Sequence, residues 1–511
     1  MMSQDPSKSE MSPMKQALQA IKQLQARVNE LEDGKNEPIA VVSMACKFPG
    51  NINNTRELWE KLLKSHDAII EVPKERWNVD EFYDPDPEVP GKMYTKLGGF
   101  LDVVDQFDPA FFGISPREAA SMDPHQRLLL QTTWEAFENG GFDLNALYGS
   151  KTGVYVGISN FEYGAKLIWP QNPTDITSYS GIGGSLGVTA GRLSYTFGFT
   201  GPSMIIDTAC SSSLVTTHLA MQSLRLGECD VAVSAGVNLI FGPQTHIYFC
   251  KGKMLAPDGH CKTFSDDADG YARGEGIGVI VLKRLSDAER DGDQILALLR
   301  GSAINQDGPS GGLTVPNGPS QVKVIKSALK NAAIDPVKVG YVEAHGTGTS
   351  LGDPIEISAL GKVFGDTTTK REQPLRVSSI KTNLGHLESA AGIAGIIKTI
   401  LVVQNGQIPP HRNFRKPNPH IDWKSFPGEI PLKVTEWSDT DRIAGVSSFS
   451  FSGTNSHVVI SNYKGASASK NQSDHGQNAS SNNGNHGEIT AINKNGSQKV
   501  AKTPSKSRIL A

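Results

Sequence analysis

The chain has 511 residues, 38% of them hydrophobic, and a formal net charge of −3. That is enough apolar material for one large core or two ordinary ones, and it gives no electrostatic reason to expect nucleic acid or an anionic membrane as partner. Five cysteines (Cys46, Cys210, Cys229, Cys250, Cys261) show no C-x-x-C spacing, and neither an 18-residue apolar run nor a signal-peptide pattern occurs; a soluble cytoplasmic protein with reduced thiols is expected.

Residues 1–36 carry a helical repeat with Met14, Ile21 and Val28 at position a and Ala17, Leu24 and Leu31 at position d. This pattern favours a parallel two-stranded coiled coil. Three heptads are short for independent stability, so the pair is expected to rest on a dimeric body; the alternative is an amphipathic helix folded back on its own domain. From residue 37 to 462 strand-like and helix-like stretches alternate, which argues for an α/β fold. In chain order the pattern predicts a helix over Leu128–Asn139, a strand over Val154–Ile158, and a buried strand at Met204 to Ile206. Next come a helix over Ser213–Leu226 stopped by Gly227 and strands at Val231–Ala235 and Ile277–Leu282. The charged stretch Asp287–Asp293 then leads into a strand at Gln294–Arg300, a helix over Gln321–Ala332, a strand over Val339–Ala344 and a long apolar helix over Ser389–Val403. The glycine-rich run Gly270–Gly278 is followed by a strand rather than a helix, so it does not read as a dinucleotide loop. Residues 463–511 are dominated by Asn, Ser, Gly and Lys, a composition that cannot bury a core and is expected to be disordered.

Three short segments carry the chemistry. Cys210, in Asp207-Thr208-Ala209-Cys210-Ser211-Ser212-Ser213, sits on a strand-to-helix turn, where the helix dipole is expected to lower a thiol's pKa. Its neighbours are small enough to admit a bulky acyl group. His345 follows a predicted strand on the loop His345-Gly346-Thr347-Gly348-Thr349. His386, in Lys381-Thr382-Asn383-Leu384-Gly385-His386-Leu387-Glu388, opens the long apolar helix, where the dipole favours a neutral ring. Singly, the cysteine reads as a buried structural residue and each histidine as a hydrogen-bonded one. Together they form the Cys/His arrangement of nucleophilic acyl transfer. No third ligand at helical spacing accompanies either histidine, so no metal site is expected. A papain-like hydrolase would show a Cys-Gly-Ser-Cys signature, which is absent.

With these motifs the chain resembles the β-ketoacyl synthases of modular type I polyketide synthases, from about Glu37 to about Ser461. Further matching segments are Glu37–Gly50, Phe107–Ala119, Met122-Asp123-Pro124-His125-Gln126-Arg127 and Ser447–His457. The resemblance implies a thiolase-like αβαβα five-layer sandwich of two similar halves, 37–290 and 291–462, with the join near Asp287–Asp293; no duplication is detectable in the sequence itself. It implies that Cys210 is the nucleophile, that His345 and His386 stabilise an enolate, and that the backbone N–H groups of Cys210 and Phe451 form the oxyanion hole. Lys381 and Glu388 match a supporting ion pair, and Thr347 and Thr349 match hydroxyls that hold a pantetheine arm. No cofactor is expected on the domain itself, because the substrates ride on the phosphopantetheine of acyl carrier proteins. The implied partners are a second copy of the chain, upstream and intramodule carrier proteins, and an upstream synthase that docks on the N-terminal helix. A further implied partner is an acyltransferase domain beyond Arg508-Ile509-Leu510-Ala511, which reads as the opening of a linker in a longer polypeptide. The common Phe-Gly-Phe-Gly-Gly form is Phe449-Ser450-Phe451-Ser452-Gly453 here, a loop expected to be less mobile.

Overall fold

The structure, a computed structural model, describes residues 21–22, 36–365 and 371–465. The predicted coiled coil and the predicted disordered tail lie, but for their margins, outside the described residues.

Ten strands make the frame. The first five are β1 (Ile39–Lys47), β2 (Thr152–Gly157), β3 (Ser203–Ile206), β4 (Val231–Asn238) and β5 (Gly276–Arg284). The next five are β6 (Ala297–Gln306), β7 (Val339–Glu343), β8 (Leu375–Ser378), β9 (Ile443–Phe449) and β10 (Thr454–Ser461). They run in the order β3-β2-β4-β5-β1 and then β6-β10-β9-β7-β8, with the two-residue strand Gly428–Glu429 beyond β8. In the first set, β2 is parallel to β3 and β4, while β5 is antiparallel to β4 and β1. In the second, β7 is parallel to β8 and β9, while β10 is antiparallel to β9 and β6. The duplication that the sequence conceals is therefore plain in the topology: the same order and the same directions occur twice. A short antiparallel contact of β1 with β6, pairing Ile39 with Leu299, joins the halves.

Six helices supply the other layers: α1 (Pro124–Asn139), α2 (Leu186–Phe197), α3 (Ser212–Leu226), α4 (Gly318–Asn331), α5 (Gly352–Phe364) and α6 (Ala391–Asn405). Side chains alternate across a strand, so β5 sends Val279 and Val281 to one core and Ile280 and Leu282 to another. The first core holds Leu129 and Phe137 of α1 and Leu193 of α2. The second lies between the halves, where Leu214 and Met221 of α3 and Ile393 and Ile397 of α6 meet β5, β9 and β10. A third packs Ile325 of α4 and Leu360 of α5 against Val342, Val377 and Val459. Strands buried on both faces read as unbroken apolar runs, and a helix apolar all round is a buried one; α6, buried from Ala391 to Val403, is that case. No helix among the described residues is long and apolar enough to cross a membrane.

Two local expectations need correction. The Met204–Ile206 run is not buried within the chain: β3 is the outer strand of its half, and Met204 is 40% exposed. An apolar run of this length cannot distinguish an edge position from a central one. The charged stretch at Asp287–Asp293 lies between two strands as expected, mostly in a short helix, Leu285–Asp291, whose arginine and aspartates pair with each other. The strand after it starts at Ala297, three residues later than expected.

Candidate active site

Cys210 leaves β3 through a single 3-10 turn, Ala209–Ser211, that runs straight into α3. Ala209 takes a φ of +52°, a conformation that costs a residue with a Cβ and is kept only where its surroundings enforce it. Asp207 enforces it: its carboxylate accepts the Ala209 N–H at 2.9 Å and is itself held by the Ser159 hydroxyl at 2.7 Å. The Ser448 hydroxyl donates to the Cys210 carbonyl at 2.7 Å. Burial, aided by the Glu388 carboxylate, pushes the thiol up to about 11, against the opposing pull of Lys381 and of the Phe451 and Cys210 backbone N–H groups. The lowered thiol pKa expected from the helix terminus is thus reversed, because desolvation of a thiolate outweighs these few favourable groups.

His345 follows β7 on a loop with Gly346 and Gly348 at φ +43° and +80°. A Cβ at Gly348 would lie 2.8 Å from the Lys262 backbone nitrogen, so only glycine fits. Two carboxylates from the first two turns of α5 clamp this loop. Glu356 accepts the N–H groups of His345 and Gly346, each at 2.8 Å, and Asp353 accepts those of Gly348 at 3.0 Å and Phe264 at 2.6 Å. Burial raises both carboxyls to about 7. The Lys381 ammonium donates to the His345 carbonyl at 2.6 Å.

His386 follows Gly385, and its Nδ1 accepts the Glu388 backbone N–H at 2.9 Å. That bond puts the ring proton on Nε2, which is buried without a protein partner. The two imidazoles stand 5.5 Å apart, nearly perpendicular. Burial, then the Lys381 charge, holds both well below the usual histidine range, so both are neutral. Cys210, His345, His386, Thr347, Thr349 and Phe451 all line one cavity of about 320 Å³. The Thr347 and Thr349 hydroxyls lie 3.2 Å apart.

Lys381 and Glu388 do not pair with each other as expected. Glu388 is taken by Arg273, a fully buried guanidinium that meets it through two nitrogens at 2.5 and 3.2 Å, while Lys381 serves the His345 carbonyl. Arginine's planar fork suits such a two-point contact. Sequence pattern did not single out Arg273, Asp353, Glu356 or Ser448. Asp353 and Glu356, three apart at a helix start beside the glycine loop, were the one legible signal among them. In the loop after β9, the Ser450 and Ser452 hydroxyls bond at 2.9 Å, and the Ser452 N–H donates to Ser450 Oγ at 3.1 Å.

Residues 36–288 match the beta-ketoacyl synthase N-terminal domain, residues 296–415 its C-terminal domain, and residues 417–504 the ketoacyl-synthetase C-terminal extension. A phenolphthiocerol/phthiocerol polyketide synthase of Mycobacterium tuberculosis is 49% identical over 449 residues, 87% of this chain and 20% of that protein. Polyketide synthase GfsB of Streptomyces halstedii is 48% identical over 83% of this chain and 8% of its own length. The chain thus spans a fifth or less of these relatives. Among solved structures, the ketosynthase from module 6 of the bacillaene synthase of Bacillus subtilis 168 superposes with a TM-score of 0.78 at 41% identity, covering 84% of this chain and 73% of that one. The oxazolomycin ketosynthase domain of Streptomyces albus JA3453 gives 0.80 at 38% identity, over 84% and 76%. A twice-repeated five-stranded frame, a cysteine and two neutral histidines on one cavity, and likeness along nearly the whole described chain lead to one assignment: this chain is a ketosynthase domain with the thiolase-like fold and belongs to the β-ketoacyl synthase family.

Proposed function

We propose that this domain elongates a polyketide chain, with Cys210 as acyl acceptor and His345 and His386 as the enolate-stabilising pair. In the loading step the Cys210 sulfur attacks the thioester of an acyl chain on an upstream carrier protein. The C–S bond to the pantetheine breaks, and the thiol proton leaves with the departing sulfur. A malonyl-type thioester on the second carrier protein then loses CO₂, and the electron pair of the broken C–C bond becomes an enolate. Its oxygen meets imidazole N–H donors, and donors already in place where charge develops are worth about 3–4 kcal/mol each. The enolate carbon attacks the acyl-Cys210 thioester, the oxyanion formed there accepts hydrogen bonds from the N–H groups of Cys210 and Phe451, and the thiolate departs and takes a proton from water. A thiol near 11 takes that proton readily.

The observation that carries this reading is the His386 tautomer: its Nδ1 is occupied as an acceptor, so Nε2 is a donor, buried and unpartnered on the cavity that Cys210 also lines. Incubation with an acyl thioester and malonyl-carrier protein, read by mass spectrometry, tests it. A β-ketoacyl product supports elongation, unchanged acyl on the second carrier protein would make this a transfer module, and free acid a hydrolase. Thr347 and Thr349 are assigned to the pantetheine arm. The working unit is a cytoplasmic homodimer; the exposed apolar edge strand β3 supports pairing of two copies. Residues 1–36 then dock the upstream polypeptide, so their deletion abolishes loading from that donor and spares loading from a small diffusible acyl thioester.

A further inference from the structure

Three side chains on the wall of the cavity leave a buried polar atom without a protein partner. Two are the imidazoles, at His345 Nδ1 and His386 Nε2; the third is Gln321, at Oε1. A buried polar group with no partner forfeits its desolvation free energy, and native structures tolerate few of them. The imidazoles have a chemical reason to be left open. Gln321 has none in the mechanism above.

Gln321 lies in the first turn of α4 and is only 2% exposed. Its neighbours around this corner are already satisfied. Asn455 donates to Asp307 at 2.7 Å and to Asn305 at 3.1 Å, Asn317 donates to the Asp307 carbonyl at 2.9 Å, and Asn305 donates to the Ser320 carbonyl at 2.8 Å. Among the described residues Gln321 Oε1 has no hydrogen-bond partner. α4 packs on α5, with Gly318 against Ile355, and α5 begins just after Thr349. The Gln321 corner and the two threonines therefore line one cavity. A carboxamide offers both an acceptor and a donor, the complement of a secondary amide, which offers the same two groups in reverse.

We propose that the Gln321 side-chain amide is a further substrate-binding group, hydrogen-bonding an amide of the pantetheine arm that delivers a thioester to Cys210. This rests on the acyl-transfer reading of the cavity. Gln321 touches the arm rather than the reacting atoms, so it aligns the donor and takes no part in bond making.

The test compares two donors of one saturated acyl chain, acyl-pantetheine and the S-ethyl thioester, which carries no amide, in loading of Cys210 by the wild-type protein and by Gln321→Leu and Gln321→Met. One hydrogen bond predicts a fall of about five- to tenfold in kcat/KM for acyl-pantetheine, with the S-ethyl donor unchanged and the loss carried by KM. The ratio of the two donors within one variant does not depend on how much of that variant is folded. Equal loss with both donors would make Gln321 a structural residue, and no loss with either would leave it without a role; each overturns the proposal. Failure of the wild-type protein to load from either donor would sink the acyl-transfer reading, and this proposal with it.

Discussion

The two halves of the molecule share a strand order and, on the proposed mechanism, divide the labour. In each, the chain leaves the third strand, turns, and enters a central helix: β3 leads through Cys210 into α3, and β8 leads through Lys381 and His386 towards α6. The two helix starts meet at the middle of the molecule, where the Ser213 hydroxyl accepts the Ile393 N–H at 2.9 Å and a Cβ at Gly392 would come within 2.8 Å of Leu214 Cγ. Cys210 and His386, each from the chain between a third strand and its central helix, thus reach one cavity. The halves differ elsewhere. After β7 the second half offers His345, whereas after β2 the first offers Ser159, whose hydroxyl steadies Asp207 and lies 3.5 Å from the Ser212 hydroxyl. Between β9 and β10 lies the tight loop with Phe451, whereas residues 239–275 between β4 and β5 form a long excursion that supplies Tyr271 beside His386 and Arg273 beside Glu388. On the proposed mechanism the first half holds the acyl chain through Cys210 and lends Arg273 to Glu388, while the second supplies His345, His386 and the Phe451 N–H.

This division can be broken at several points. Cys210→Ala should abolish acyl loading outright, because the other four cysteines are buried and outside the cavity; an acyl adduct persisting in that variant would remove the first half from the chemistry. His345→Ala and His386→Ala should each cut β-ketoacyl formation by about 10²–10³-fold and leave much of the Cys210 loading, as single-turnover assays of the two steps would show. Near-normal condensation in both would mean that the second half is only a scaffold. With the thiol near 11, alkylation of Cys210 by iodoacetamide should climb about tenfold per pH unit through the neutral and mildly alkaline range, following the thiolate fraction. A plateau by about pH 8 would show that the α3 terminus outweighs burial after all. The smallest effect is expected at the Phe451 loop: Ser450→Gly, which also removes the hydroxyl that Ser452 uses, should lower stability in urea by about 0.5–1 kcal/mol and change loading little.

What could be read from the chain alone was local. Apolar runs, helix stops such as Gly227, and short motifs around Cys210, His345 and His386 are written in contiguous residues, because strand and helix periods and turn chemistry act over a few positions. The α/β class and the Cys210, His345 and His386 candidates followed from these, whereas Thr347, Thr349 and Phe451 were implied only by the family resemblance. Folding settled what depends on residues far apart in the chain. The Arg273 guanidinium reaches Glu388 across 115 positions, and no spacing rule could have taken that carboxylate away from Lys381. The sign of the Cys210 shift went the same way: a helix terminus is visible in sequence, but the desolvation that outweighs it belongs to the packed interior. The duplication, too, survives only as strand order, since two halves can keep one pattern of pairing while exchanging nearly every side chain. Whether β3 is central or at an edge depends on which strand lies beside it, and that neighbour is chosen by the fold.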